Sequence, residues 1–341
     1  MLKWYEHEET AGDIVISSRI RLARNFNDYL FADKISEEDA AKMINSVAKR
    51  FETDYPEEFR CLYMKECSES GRNALKEKRV ITSYLAGKNN GAVILSEDEG
   101  TSVLLNGEDH VRIQVLCNGM DIQSCFKKAN EIDDYIDAHF DYAFDEKYGY
   151  KTTFPTNTGT GMKAGYTLHL PSLSDARRLN DISAELGRFG LKFRTVYGDG
   201  QNGYGNLYQI STQKTLGQDE HEVIKDLDIV LQIVNQEKEQ REHFYKKDKI
   251  QMDDEIYKSY GVLKYARKLS LKDSMVLISE LMTGISLGVL QFAHNGRYNI
   301  NELIMDIQPA VLRQNSGKAM SVAETDVLRA EYIRKYLPEI I

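Results

Sequence analysis

At 341 residues the chain is long enough to bury a large core, and its length suggests two domains. With 42% hydrophobic and 28% charged residues it reads as a soluble globular protein, and a net charge of −9 argues against nucleic acid or an anionic membrane as main partner. No apolar run approaches the roughly 18 residues of a membrane span, the start MLKWYEHEET is too charged for a signal peptide, and neither the histidines nor Cys61, Cys67, Cys117 and Cys125 show metal-ligand spacing. Reduced thiols in a cytoplasmic protein, with no protein-bound metal, are therefore expected.

The first element is carried by SSRIRLARN, residues 17–25, where Arg19, Arg21 and Arg24 fall within six residues. Alternation with Ile20 and Leu22 has period two, so a strand would carry Arg19 and Arg21 on one face. Two guanidiniums about 7 Å apart repel by roughly 0.6 kcal/mol in water and about 2.4 kcal/mol at an effective dielectric of 20. Either solvent screens a plain basic face or an anion offsets the repulsion. Strands follow at 91–96, 101–106 and 110–117, and the short connections EDEG and GED predict antiparallel hairpins. Arg112 interrupts the third of these. It pairs with a core carboxylate or, with other arginine forks, grips a polyphosphate. Glu108 and Asp109, in NGEDHVR, are hairpin-turn residues or hold a cationic substrate.

A helix is predicted from Asp121 as N-cap, with Ile122, Phe126, Ala129, Ile132, Ile136 and Phe140 at helical spacing. The glycine-rich PTNTGTGMKAG (155–165) contains Lys163. A strand at 164–170, a helix over about 174–189 stopping at Gly190, and strands near 191–197 and 206–212 follow, with Arg194 and Asp199 inside KFRTVYGDGQNGYGN. Either glycine loop could be a plain turn, and neither matches G-x-x-x-x-G-K-[ST]. Nucleotide binding would then fall to arginine side chains rather than to a backbone phosphate loop. From 219 onward, helices are expected at 219–248, 253–268, 271–289, 300–314 and 322–337, with breaks at Gly261, Gly296 and Gly317. The last has Val322, Val327, Leu328, Tyr332, Ile333 and Leu337 mostly on one face, for internal core or a second copy. The predicted class is α+β, an antiparallel sheet flanked by helices, with a catalytic segment 1–250 and a helical C-terminal segment 251–341.

In this order, SSRIRLARN, NGEDHVRIQ, PTNTGTGMKAG, HLPSL and VYGDG…YGNLYQIS resemble the phosphagen (ATP:guanidino) kinases, and start, length and helical C-terminus resemble their bacterial protein-arginine kinase branch. The resemblance implies ATP as phosphoryl donor, with Mg²⁺ bound through the nucleotide, and arginine in proteins as acceptor. By motif, Arg19, Arg21, Arg112 and Arg194 match phosphate-binding arginines. Lys163 stands where the family has a fifth. Ser17, Ser18, Ile20, Ala164, Gly165, Tyr166, Thr167, Thr195, Val196, Tyr197 and Gly198 would line the same nucleotide site. Glu108 matches the carboxylate that orients the guanidinium, and Asp199 stands in place of a second, glutamate, in a mobile loop. The helical domain that small phosphagen kinases carry ahead of the arginine motif has no room here, which implies a site open to arginine within a protein.

Five positions depart from the family pattern: Phe154 replaces a cysteine, Lys163 an arginine, Asp199 a glutamate, Arg79 a histidine lining the nucleotide site, and Thr325 the first arginine of a phosphoarginine-binding R-D-x-x-R-A motif, of which Asp326 and Arg329 remain. These motivate an alternative, a pseudokinase or phosphoarginine-binding protein; a third reading is a kinase for free arginine or another small guanidine. The implied partners are a zinc-finger activator, a Clp protease system and a second copy of the chain, in a role in protein quality control.

Overall fold

The computed structural model describes residues 2–6, 14–199, 202–292 and 300–341. Its strands are, in chain order, β1 (Val15–Arg24), β2 (Phe59–Tyr63), β3 (Ala92–Ser96), β4 (Thr101–Leu105), β5 (Val111–Asn118), β6 (Phe144–Asp145), β7 (Gly149–Tyr150), β8 (Met162–His169), β9 (Leu191–Thr195), β10 (Gly198–Asp199), β11 (Asn202–Gly203) and β12 (Leu207–Thr212). Eight form the main sheet in the order β2-β3-β4-β5-β1-β8-β12-β9; β6–β7 and β10–β11 are separate two-stranded pairs. The class is α+β, as expected. The hairpins β3–β4 and β4–β5 are antiparallel, as their short connections require.

By internal packing the chain divides into two compact units. One comprises Met1–Trp4, Ser17–Gly165 and Ser211–Leu227, and the other Tyr5–Ile16, Tyr166–Ile210 and Asp228–Ile341. In the first unit β1 pairs antiparallel with β5, setting Arg19 opposite Leu116, Arg21 opposite Gln114 and Ala23 opposite Arg112. Paired residues share a face, so Arg19, Arg21 and Arg112 project to the same side. Ile20 and Leu22 are buried on the other. The helix Ile122–Asp137 begins as expected, the Asp121 carboxylate accepting the Ser124 N–H, and buries Ile122, Cys125, Ala129 and Ile136. The second unit has its own apolar core, in which Ile256, Leu263, Ile278, Leu281, Leu303 and Ile333 take part.

Several boundaries differ from the sequence reading. The helix expected at 174–189 is two, Pro171–Asp175 and Leu179–Arg188, parted by Arg177 at φ 58°. A left-handed residue breaks the hydrogen-bond ladder, and Pro171 starts the first piece early because a helix needs no N–H there. The segment 219–248 divides into Glu220–Lys225, a 3₁₀ turn Asp226–Asp228 and Ile229–Lys247. Gly261 does not break a helix but lies inside Lys249–Tyr265; the start at Lys249 is set by the Asp248 cap. Pro309 opens a new helix and splits the one expected at 300–314. Gly317 is a left-handed C-cap at φ 65°, and Gly296 lies outside the described residues. In Val322–Tyr336, Val322 and Val327 are exposed, while Thr325, Arg329, Ala330 and Ile333 are buried. Ile333 and Leu337 of the expected face are buried in the core of the second unit and Tyr332 packs against it, while Arg329 enters the interior paired with Asp326.

Candidate active site

The first unit holds a cleft of about 390 Å³ lined by Arg21, Leu22, Ala23, Tyr84, Glu108, Arg112, Phe154, Thr156, Asn157, Gly161 and Lys163. Strand periodicity explains how it arises. Arg21 and Arg112 share a face across the β1–β5 ladder, Lys163 comes from β8, and Glu108 from the turn between β4 and β5. Arg112 donates through Nη1 to Glu108 Oε1 at 2.9 Å, and its Nη2 lies 3.9 Å from Asp109 Oδ2. The Thr82 hydroxyl donates to Glu108 Oε2 at 3.2 Å. Lys88 Nζ donates to the Gly107 carbonyl at 3.5 Å; partial burial lowers its pKa, opposed by the charges of Glu108 and Asp33. Three cations and one carboxylate thus meet in one open hollow. That arrangement suits a polyanion placed beside a cation.

Other expected residues of this unit are placed as follows. Arg19 lies on Arg21's face of β1, half-buried. Ser17, Ser18 and Ile20 are buried, with the Ser18 hydroxyl donating to the Gly119 carbonyl and accepting from the Asp121 N–H. Arg79 is left-handed at φ 63°, and its carbonyl accepts at 2.6 Å from Nε2 of Gln114, the register partner of Arg21. Ala164 and Gly165 are buried backbone positions of β8. Asp109 is buried beneath the turn, accepting from Asn25 Nδ2 at 2.9 Å and the Thr153 N–H at 2.8 Å, which makes it a structural carboxylate. Arg24 does not line the cleft. It is buried, paired with Asp133 at 2.6 Å, and donates to the Thr160 carbonyl. Thr82, Tyr84 and Lys88 were missed by sequence reasoning; the available signal was Thr82 as N-cap of a short helix.

In the second unit, Arg194 is exposed and donates through Nε and Nη2 to Gln209 Oε1 at 3.0 and 2.5 Å. Tyr166 and Thr167 are buried in β8, and Thr195, Val196 and Tyr197 are half-buried. Gly198 and Asp199 form β10, paired with Gly203 and Asn202; the Asp199 side chain lies outside the described residues. Asp326 and Arg329 are ion-paired at 2.6 Å, and Arg329, fully buried, also donates to the carbonyls of Leu269 and Ile307.

Residues 41–240 match the ATP:guanido phosphotransferase C-terminal catalytic domain, and residues 249–340 match the protein-arginine kinase McsB C-terminal domain. The chain is 40% identical over 338 residues to a protein-arginine kinase of Bacillus mycoides (strain KBAB4), covering 98% of this chain and 95% of that protein. It is 39% identical over 338 residues to one of Bacillus subtilis (strain 168), covering 98% and 93%. Among solved structures it resembles lombricine kinase, with TM-score 0.59 and 17% identity over 70% of this chain and 69% of that one. It also resembles the duplicated taurocyamine kinase of Schistosoma mansoni, with TM-score 0.56 and 20% identity over 63% of this chain but 31% of that longer one. The two structural likenesses bear on the fold alone. With the arginine-lined cleft, a catalytic-domain match over most of the sheet and two near-full-length relatives, the chain belongs to the ATP:guanido phosphotransferase family, in its McsB-type branch.

Proposed function

We propose that this protein phosphorylates arginine side chains of other proteins, with ATP as phosphoryl donor. The observation that carries the reading is the meeting of Arg21, Arg112 and Lys163 with Glu108 in one cleft. The near-full-length relatives named as protein-arginine kinases support it. The cations would grip phosphate oxygens: Arg21 and Arg112 as forks, Lys163 as a point charge. Arg19, on the same strand face, would extend the clamp, and Arg194 has a phosphate-binding role by its family motif. Mg²⁺, held through the nucleotide, would supply further charge neutralisation.

A guanidinium is a poor nucleophile while fully protonated. Glu108 would accept a hydrogen bond from it, fixing the attacking nitrogen in line with the γ-phosphorus. As the P–N bond forms, the bond from phosphorus to the ADP oxygen breaks and the attacking nitrogen passes a proton to Glu108. Asp199 would be the second carboxylate that steadies the guanidinium. In the fold, Glu108 is pre-aimed by Thr82 and Arg112. Glu108→Gln should lower transfer to an arginine-rich protein by at least about 100-fold, with ATP affinity within a few-fold of wild type. Acid-labile phosphate measured on the acceptor reads the first, and nucleotide titration the second. A wild-type rate in this variant would remove Glu108 from the chemistry. Inhibition by millimolar free arginine as an alternative acceptor would instead favour the small-guanidine reading.

The same reading includes a cytoplasmic location, a place in stress-related protein quality control, a zinc-finger activator, a Clp protease as consumer of the product, and a homodimer through the C-terminal helices. A mass of one chain by light scattering at micromolar concentration would exclude the dimer. A phosphoarginine-binding role for Asp326 and Arg329 would require Arg329 to exchange the carbonyls of Leu269 and Ile307 for phosphate oxygens.

A further inference from the structure

Two aromatic side chains stand in a cleft that also holds four charged ones. Tyr84 is 46% exposed and Phe154 47%, and both line it together with Arg21, Glu108, Arg112 and Lys163. Each is carried on a short element tied to the site. Tyr84 lies on the helix Ser83–Ala86, whose N-cap Thr82 accepts the Leu85 N–H and donates to Glu108, so its backbone is keyed to the carboxylate. Phe154 is the N-cap of the turn Pro155–Asn157; its carbonyl accepts the Asn157 N–H at 2.9 Å and the Thr152 hydroxyl at 2.8 Å. Lys88 Nζ already lies 5.6 Å from the Tyr84 ring centroid, so this ring takes a cation on its face.

The charge distribution explains why aromatic groups would be placed here. Among the described residues lining the cleft, Glu108 is the only carboxylate, and it is already engaged by Arg112. A cationic acceptor must nevertheless sit beside three cations. Carboxylates beyond Glu108 and Asp199 would attract it but would also repel the phosphates. An aromatic face attracts a cation through its quadrupole and adds no net charge. A guanidinium, planar and weakly hydrated, is the cation best suited to lie on such a face. An ammonium loses more hydration there.

We propose that Tyr84 and Phe154 form an aromatic seat that selects and orients the guanidinium of the acceptor arginine against Glu108. The inference rests on the kinase reading above and names two specificity-determining residues within it. Phe154 would offer the guanidinium a cation–π face without adding charge. Because both side chains are exposed, truncating them leaves the core intact.

The test compares Phe154→Leu, Phe154→Trp and Tyr84→Leu with wild type, using an arginine-containing peptide and its citrulline counterpart, which has the same shape without the charge. For Phe154→Leu and Tyr84→Leu the KM for the arginine peptide should rise three- to tenfold, with the KM for ATP unchanged. Phe154→Trp should restore it. Equilibrium binding of the arginine peptide, measured with a non-hydrolysable ATP analogue present, should weaken by the same factor, whereas the citrulline peptide should bind wild type and Phe154→Leu alike. Unchanged arginine-peptide binding in both leucine variants would overturn the proposal. So would weakened nucleotide binding with unchanged peptide binding, which would place the rings under the base. If wild type transfers no phosphate, the kinase reading fails, and the binding comparison still decides the seat.

Discussion

Arg21 and Arg24 are three residues apart on one strand and meet opposite fates. An odd spacing puts them on opposite faces. Arg21 reaches the cleft, while Arg24 turns into the interior, where burial opposes its charge and Asp133 holds it. Its guanidinium carbon also lies 3.5 Å from the Tyr150 ring centroid. The opposite-face placement was readable from SSRIRLARN. The pairing was not, because Asp133 is 109 residues away. Removing one partner of a buried pair strands the other charge, which costs about 3–5 kcal/mol. Arg24→Met should lower unfolding free energy in urea by that amount, and Arg24→Met with Asp133→Leu should recover part of it. A loss below about 1 kcal/mol in the single variant would show that water reaches Asp133.

At the scale of elements, the loop TNTGTG is a place of close backbone approach rather than a plain turn. A Cβ on Gly159, at φ 115°, would lie 2.0 Å from the Thr215 carbonyl oxygen, and one on Gly161, at φ 64°, would lie 2.6 Å from that of Ala23. No side chain fits, and the loop leads directly to Gly161 and Lys163 in the cleft. Gly190 is different: at φ 71° it is strained for other residues, yet nothing lies within 4 Å of the added carbon. Gly190→Ala should therefore cost only the left-handed strain, about 1 kcal/mol, and Gly159→Ala at least twice that, about 2–3 kcal/mol. Equal losses in chemical denaturation would mean that the loop shifts freely. The glycines were visible in the sequence. Which of them faced another backbone was not, nor was the split at Pro309, because helical periodicity runs through a proline that can serve as a first-turn residue.

For the molecule as a whole, a buried group and a half-buried one of the second unit give stability opposite pH slopes. His169, its Nε2 2.8 Å from the Ser279 hydroxyl, has its pKa pushed well below the usual 6.5 by burial and then by the charge of Arg241. The unfolded chain takes up that proton first, so stability falls as pH drops through 6.5. Glu280 is pushed up from 4.5 to about 7 by burial, then by Asp175 and Glu255. The unfolded carboxyl ionises earlier, so its contribution is full below 4.5 and is lost as pH rises to 7. Glu280→Gln should gain stability over wild type between these limits, reaching at most about 3 kcal/mol above pH 7. Unfolding free energies at pH 5 and 8 check this, and an equal gain at both would refute it. By itself the sequence determined the shared face of Arg19 and Arg21 and the β3–β4–β5 hairpins, since these follow from local period and short connections. Only the tertiary structure decided which cations line the cleft and which, like Arg24 and Arg329, are interior. A charge can leave water only where a partner waits, and folding alone sets the place of a partner distant in the chain.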